Sequence, residues 1–317
     1  MSQENSPHDS GAQWLRACLL QVAGVDGKGL ELGEMRITFS ITKTDTETPN
    51  KANITVYNLA EGTSNRIQQE FGRVVLSAGY KGNCTTIFDG TISKVQRGRE
   101  NGTDTFTAIT AADGDKAYNW AVVNSTLAAG STPADRVKLC AQYFAEKGVN
   151  TGYLPEFDPT SLPRGKVFFA SAKKVLRDEA VNTRCSWSVQ DGALTMVPKT
   201  GYLPEEAVVL THETGLVGAP TWTNEGLNVN CLLNPRLRVN GRIKLDNRSV
   251  QGAKTEVKEG AKTEVKESAK RPPTISADGL YRILKVTFVG DTRGNDWFAK
   301  LVCVALDGTS QVPLDVA

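Results

Sequence analysis

The chain has 317 residues, of which 39% are hydrophobic and 23% charged, and its 37 Lys and Arg nearly balance 35 Asp and Glu. The length exceeds what one core organises and predicts two or three domains. No apolar run approaches the roughly 18 residues of a membrane span, and the balanced charge argues against a nucleic-acid binder held by electrostatics.

Residues 1–12 are polar and lack the basic start and apolar stretch of a secretory signal, so a disordered arm is expected. Residues 13–114 read as strands. Met35-Arg-Ile-Thr-Phe-Ser-Ile-Thr and Ala52-Asn-Ile-Thr-Val-Tyr-Asn-Leu alternate apolar and polar, the period of a half-buried strand. Val74–Tyr80, Thr86–Val95 and Thr105–Thr110 continue the set, with turns at Asp26-Gly27, Lys81-Gly82-Asn83 and Asn101-Gly102. Thr63–Phe71 suits a helical turn, and Cys84, in Gly82-Asn83-Cys84-Thr85, reads as a loop residue. So many short strands predict a barrel or sandwich.

Residues 115–202 predict a small α+β unit. Thr132-Pro133 supplies a helix N-cap with Pro at the first position, Val137, Cys140, Tyr143 and Phe144 line one face, and Gly148 ends the helix. A second helix is expected over Ser171–Thr183, then a hairpin turning at Asp191-Gly192. Residues 203–317 return to strands: Ala207–Leu210, Leu227–Leu232, Leu237–Val239, Arg242–Leu245, Leu280–Val289 and Trp297–Leu306. An insert at 252–271 repeats Gly252-Ala-Lys-Thr-Glu-Val-Lys-Glu259 at 260–267. With one apolar residue per eight it cannot bury a core, and it reads as a solvated loop or a short charged helix, the mobile loop being favoured.

Two hairpins echo each other. Asp89-Gly-Thr-Ile-Ser-Lys-Val-Gln with Asp104-Thr-Phe-Thr-Ala-Ile-Thr-Ala resembles Asp278-Gly-Leu-Tyr-Arg-Ile-Leu-Lys-Val with Asp296-Trp-Phe-Ala-Lys-Leu-Val-Cys. Either one unit is used twice, or two hairpins coincide by chance. Duplication would let three copies present six similar units around an axis. The hairpin ends, Arg97, Gly98 and Gly102 in the first and Arg293, Gly294 and Asn295 in the second, are the candidate ring contacts.

Residues suited to chemistry are sparse. The two histidines, His8 and His212, sit in the polar arm and at a strand end, and there is no His-x-x-x-His or Cys-x-x-Cys pair. Gly-x-Ser-x-Gly and phosphate-loop motifs are absent. Glu205-Glu206 and Asp178-Glu179 read as solvated charge, because a glycosidase needs carboxylates facing across a cleft. The six cysteines are scattered singly and read as free thiols. No catalytic, cofactor-binding or metal-ligating residue is assigned.

Three stretches carry a family resemblance. Pro49-Asn-Lys-Ala-Asn-Ile-Thr-Val-Tyr-Asn-Leu, with Val75-Leu-Ser-Ala-Gly-Tyr and Ile87-Phe-Asp-Gly-Thr-Ile, resembles the first tube-like domain of baseplate hub proteins of contractile-tailed (myovirus-type) phages. Leu210-Thr-His-Glu-Thr-Gly-Leu-Val-Gly-Ala-Pro with Val229-Asn-Cys-Leu-Leu-Asn-Pro resembles the start of their second half. Asp278-Gly-Leu-Tyr-Arg-Ile-Leu-Lys-Val with Gly290-Asp-Thr-Arg-Gly-Asn-Asp-Trp resembles their closing hairpin. The resemblance implies a mainly β protein: two tube-like antiparallel β-barrel or sandwich domains, 13–114 and 203–317, around the α+β middle. It implies a homotrimeric hub in the virion, assembled in the bacterial cytoplasm, that joins tail tube protein to central spike protein among other baseplate proteins. Tape measure protein and DNA would pass through its channel, and no cofactor or activity is implied. A distal tail or tube-terminator protein, the hub of a phage-like bacteriocin and, further off, a cell-wall hydrolase are the alternatives.

Overall fold

The computed structural model describes residues 13–24, 29–223, 226–246 and 279–306. The arm at 1–12 with His8, the Asp26-Gly27 turn and the repeat insert at 252–271 lie outside the described residues. The protein is mainly β, with few helices.

An N-terminal strand set comprises β1 (Arg16–Gly24), β2 (Gly29–Leu32), β3 (Ile37–Thr44), β4 (Lys51–Tyr57), helix α1 (Glu61–Gln69), β5 (Phe71–Tyr80), β6 (Asn83–Glu100) and β7 (Asp104–Ala112). The strands lie side by side as β3-β4-β7-β6-β5-β1-β2, all antiparallel. Period-2 alternation decides which face is buried. Ile37, Phe39 and Ile41 of β3 and Ala52, Ile54 and Val56 of β4 point into the core, and the residues between them point outward. Helix α1 begins before Thr63 and inserts Ile67 into this core. Phe71, predicted at its end, instead opens β5. Cys84 is a strand residue rather than a loop residue. The Lys81-Gly82 turn is only two residues long, so β6 starts at once, and the half-buried thiol approaches the Ala17 carbonyl at 3.7 Å.

The middle region holds α2 (Asp115–Trp120), β8 (Val122–Leu127), α3 (Pro133–Ala145), β9 (Asn150–Thr151), β10 (Lys166–Ser171), α4 (Ala172–Asn182), β11 (Cys185–Gln190) and β12 (Ala193–Pro198). The Thr132 hydroxyl accepts from the Asp135 amide and the Asp135 carboxylate accepts from the Thr132 amide, a reciprocal cap that fixes the start of α3. Val137, Cys140 and Phe144 then pack against Leu176, Trp187 and Met196 in a core of their own. The Asp191-Gly192 turn takes positive φ at both residues (53° and 77°), as a tight two-residue hairpin requires.

A C-terminal strand set comprises β13 (Val208–Leu210), β14 (Thr221–Thr223), β15 (Gly226–Leu232), β16 (Arg242–Leu245), β17 (Leu280–Asp291) and β18 (Trp297–Ala305). Leu237–Val239, predicted as a strand, is not one. Leu237 and Val239 are buried, but the turn at Asn234-Pro235 and the left-handed Asn240 (φ 66°) stop the segment from extending. The strands of both sets join in one sheet and share one hydrophobic core.

Arg282 ties all three regions together. Its guanidinium donates to Asp45 at 2.6 Å, to Asn240 Oδ1 at 2.6 and 2.9 Å, and to the Pro198 and Lys199 carbonyls at 3.1 and 2.7 Å. Only 3% of its side chain is exposed, so these partners replace the water that burial removes.

Candidate functional site at the hairpin ends and sheet edges

The two strand sets have the same order. The run β3-β4-β7-β6-β5 is matched by β14-β15-β18-β17-β16, and every neighbouring pair in both runs is antiparallel. The registers coincide as well. In β6, Ile92 pairs with Ala111, Ser93 is skipped, and Lys94-Val95 pair with Thr110 and Ile109. In β17, Ile283 pairs with Cys303, Leu284 is skipped, and Lys285-Val286 pair with Val302 and Leu301. A β-bulge therefore falls at the same place in the matching sequences Ile92-Ser-Lys-Val95 and Ile283-Leu-Lys-Val286. Just before the bulge each long strand also meets an arginine of its other neighbour, Arg73 opposite Thr91 and Arg242 opposite Arg282. Chance similarity of two hairpins would not extend to five strands, one bulge and one register.

Beyond the bulge the two long strands part company. In β17, Lys285–Asp291 pairs antiparallel with Thr38–Thr44 of β3, which stitches the C-terminal set to the N-terminal one. In β6, Lys94–Glu100 pairs with β7 alone. Among the described residues no strand lies along its other edge. Likewise β14, the counterpart of β3, pairs with β15 alone among the described residues.

The second hairpin end is engaged within the chain. Arg16 of β1 donates to the Asp291 and Gly294 carbonyls at 3.0 and 2.5 Å and to the Asn295 carbonyl at 3.2 Å, and it lies over the Trp297 ring. Arg36 pairs with Asp291 at 2.8 Å, and this guanidinium holds the Asp291 carboxyl below its ordinary range. Arg293 reaches the Glu34 carbonyl at 3.2 Å. Arg293, Gly294 and Asn295 thus sit together where the two strand sets meet.

The first hairpin end is differently placed. Arg97 lies within β6, not at the tip, and donates to Asn65 of α1 at 2.5 Å, with Glu61 4.0 Å away. Gly98 seats the Phe106 ring, since a Cβ there would be 2.5 Å from its Cζ. Gly102 forms the tip with Asn101, both at positive φ. No sequence signal assigns Arg16, Arg36 and Asp291 to holding the second end. Only contact between distant segments reveals them, although the twin Ile-x-Lys-Val motifs mark the bulge in advance.

The carboxylate pairs do not form a cleft. Glu179 is buried against Arg136 at 2.7 Å, a pair that locks α3 to α4, and Glu205 pairs with Arg238 on the surface. Among the described residues no group of three or more His, Cys, Asp or Glu is placed to hold a metal ion, and no helix is long and apolar enough to cross a membrane.

The repeated antiparallel strand order thus meets its own copy edge to edge within one sheet. Comparison with known proteins gives the family. The family model for baseplate hub gp41 matches residues 22–252, and the chain belongs to that family. No curated protein sequence matches the chain. Among solved structures it is similar to a 43 kDa tail protein of prophage MuSo2 from Shewanella oneidensis (TM-score 0.56, 8% identity, 93% of this chain and 98% of that one). It is similar to a tail protein from Neisseria meningitidis MC58 (TM-score 0.52, 12% identity, 94% and 98%). It also resembles an E. coli component of the type VI secretion system (TM-score 0.54, 10% identity, 93% and 79%), described as structurally similar to bacteriophage T4 tail proteins. At these identities the three likenesses concern the fold.

Proposed function

We propose that the chain is the central hub of a contractile phage-tail baseplate. Three copies form a ring that joins the six-fold tail tube to the three-fold central spike. Residues 13–114 and 203–317 are its two tube-like units, and 115–202 is a middle domain that braces them. The ring encloses the channel for the tape measure protein and, during injection, for DNA. Other baseplate proteins surround it, and it is put together in the bacterial cytoplasm before joining the virion. The role is structural, without catalysis.

The observation that carries this reading is the repeated strand order with a shared bulge and register. A chain with two equivalent units can meet six identical tube subunits on one face while only three copies close the ring. A family of baseplate hubs supplies the setting. The test is native mass spectrometry of the protein mixed with its spike and with its tube protein. A three-to-three complex with the spike and a three-to-six complex with the tube ring are expected. Binding to neither partner contradicts the reading.

A further inference from the structure

The intrachain junction between β3 and β17 is a template for a contact that this chain cannot make with itself. Matched through the bulge, Thr287, Phe288 and Val289 of β17 correspond to Gln96, Arg97 and Gly98 of β6. Matched through the β4-β7 and β15-β18 pairings, Ser40, Ile41 and Thr42 of β3 correspond to Thr221, Trp222 and Thr223 of β14. Within the chain Thr287 pairs with Thr42, Phe288 with Ile41 and Val289 with Ser40. Their counterparts are the segments left without a neighbour on one side among the described residues.

We propose that Gln96–Gly98 of one copy pairs antiparallel with Thr221–Thr223 of a second copy, in the register Gln96 with Thr223, Arg97 with Trp222 and Gly98 with Thr221. This rests on the hub reading above and names the strands that would close its ring. The occupant is a second copy because the fold already holds both halves of such a junction once, joined, and presents both halves again, apart. An unpaired edge carries a row of free amides and carbonyls, and only a strand satisfies them in order. The faces agree. Trp222, like Ile41, is buried on the core side, and Arg97, which the register sets opposite it, shares the face of the buried Thr107 and Val56 and donates to Asn65 of α1. Lys94, Arg97, Arg99 and Glu100 place charge along the open edge, which discourages indiscriminate pairing before assembly. Since the two edges differ, the contact is head to tail and closes only as a ring.

The test pairs Gln96→Cys with Thr223→Cys, positions whose counterparts Thr287 and Thr42 lie opposite each other. Under mild oxidation the double variant is expected to give a covalent trimer on a non-reducing gel, while either single variant gives none. A companion pair guards against a linkage that fails for geometric reasons. Gln96→Glu with Thr223→Glu should raise the concentration of half-assembly roughly tenfold or more, because like charges would face each other. Gln96→Lys with Thr223→Glu should restore assembly, with the monomer's melting midpoint unchanged throughout. A wild-type trimer in solution, with neither linkage nor charge sensitivity at these positions, overturns the pairing and leaves the hub standing. Linked open chains without a closed ring support the pairing and overturn the trimer. A monomer at every concentration, with spike and tube present, overturns both.

Discussion

Strands β6 and β17 follow one backbone plan, yet their far halves differ in both sequence and surroundings. Beyond the shared bulge β17 runs Lys-Val-Thr-Phe-Val-Gly-Asp and is covered by β3. The aligned stretch of β6 runs Lys-Val-Gln-Arg-Gly-Arg-Glu, and no strand covers its outer edge among the described residues. The side chains follow the neighbours. Phe288 is buried where a strand is already in place, and Arg97 is exposed where none is. The two units thus differ at the positions where one is joined within the chain and the other has no strand beside it among the described residues.

The largest effect should come from removing what only the C-terminal copy has. Arg282→Ala leaves Asp45 in the interior without its charged partner, with only Ser186 and Asn240 still donating to it, and should cost about 3–5 kcal/mol, read by urea unfolding. The aligned change Thr91→Ala should cost no more than about 1 kcal/mol. Equal costs would break the asymmetry. Next, Phe288→Ala should lose about 3 kcal/mol or more as a buried ring is removed. Arg97→Ala, at the aligned exposed site, should stay within about 0.5 kcal/mol in the monomer.

A smaller, pH-dependent effect separates the ends of β7 and β18. Where β18 closes on Ala305, β7 is followed by Asp113, buried and with Oδ2 unpartnered, while Oδ1 accepts from the Gly192 amide at 2.9 Å. Burial, with Asp191 nearby, pushes this carboxyl up from 3.8 to about 7. The native state therefore holds the proton more tightly than the unfolded chain. Its stabilising contribution is complete below about pH 4, declines as pH rises toward 7, and is gone above that. Asp113→Asn should flatten this slope and raise stability at pH 8 by about 1–3 kcal/mol, measured as melting midpoints across pH. An unchanged slope would exclude Asp113 as its source. The smallest effect is expected at the first hairpin tip. Gly102→Ala forces an alanine to φ near 68° in open space and should cost about 1 kcal/mol.

Much of the fold is legible in the sequence where one physical signal dominates. Alternation reveals β3 and β4, the Thr132-Pro133 cap reveals α3, and Asp191-Gly192 reveals the β11-β12 hairpin. Strands β8 and β10 escaped notice because Val122, Val167 and Phe169 are apolar on the exposed face of their two-stranded sheet, which blurs the alternation. Leu237–Val239 misleads in the opposite way, being apolar enough for a strand but confined between turn residues. The hairpin echo was visible through Ile-x-Lys-Val. The hold of Arg16 and Arg36 on the second hairpin end, and the open edge of β6, were not, because both depend on which distant segments become neighbours.

The measurement that bears most directly on the central claim is the mass of the full-length protein in solution, by light scattering over a concentration series with and without its spike. A species of three chains, or a three-to-three complex once spike is added, is the result the account predicts. A single chain at every concentration, indifferent to the spike, would contradict it.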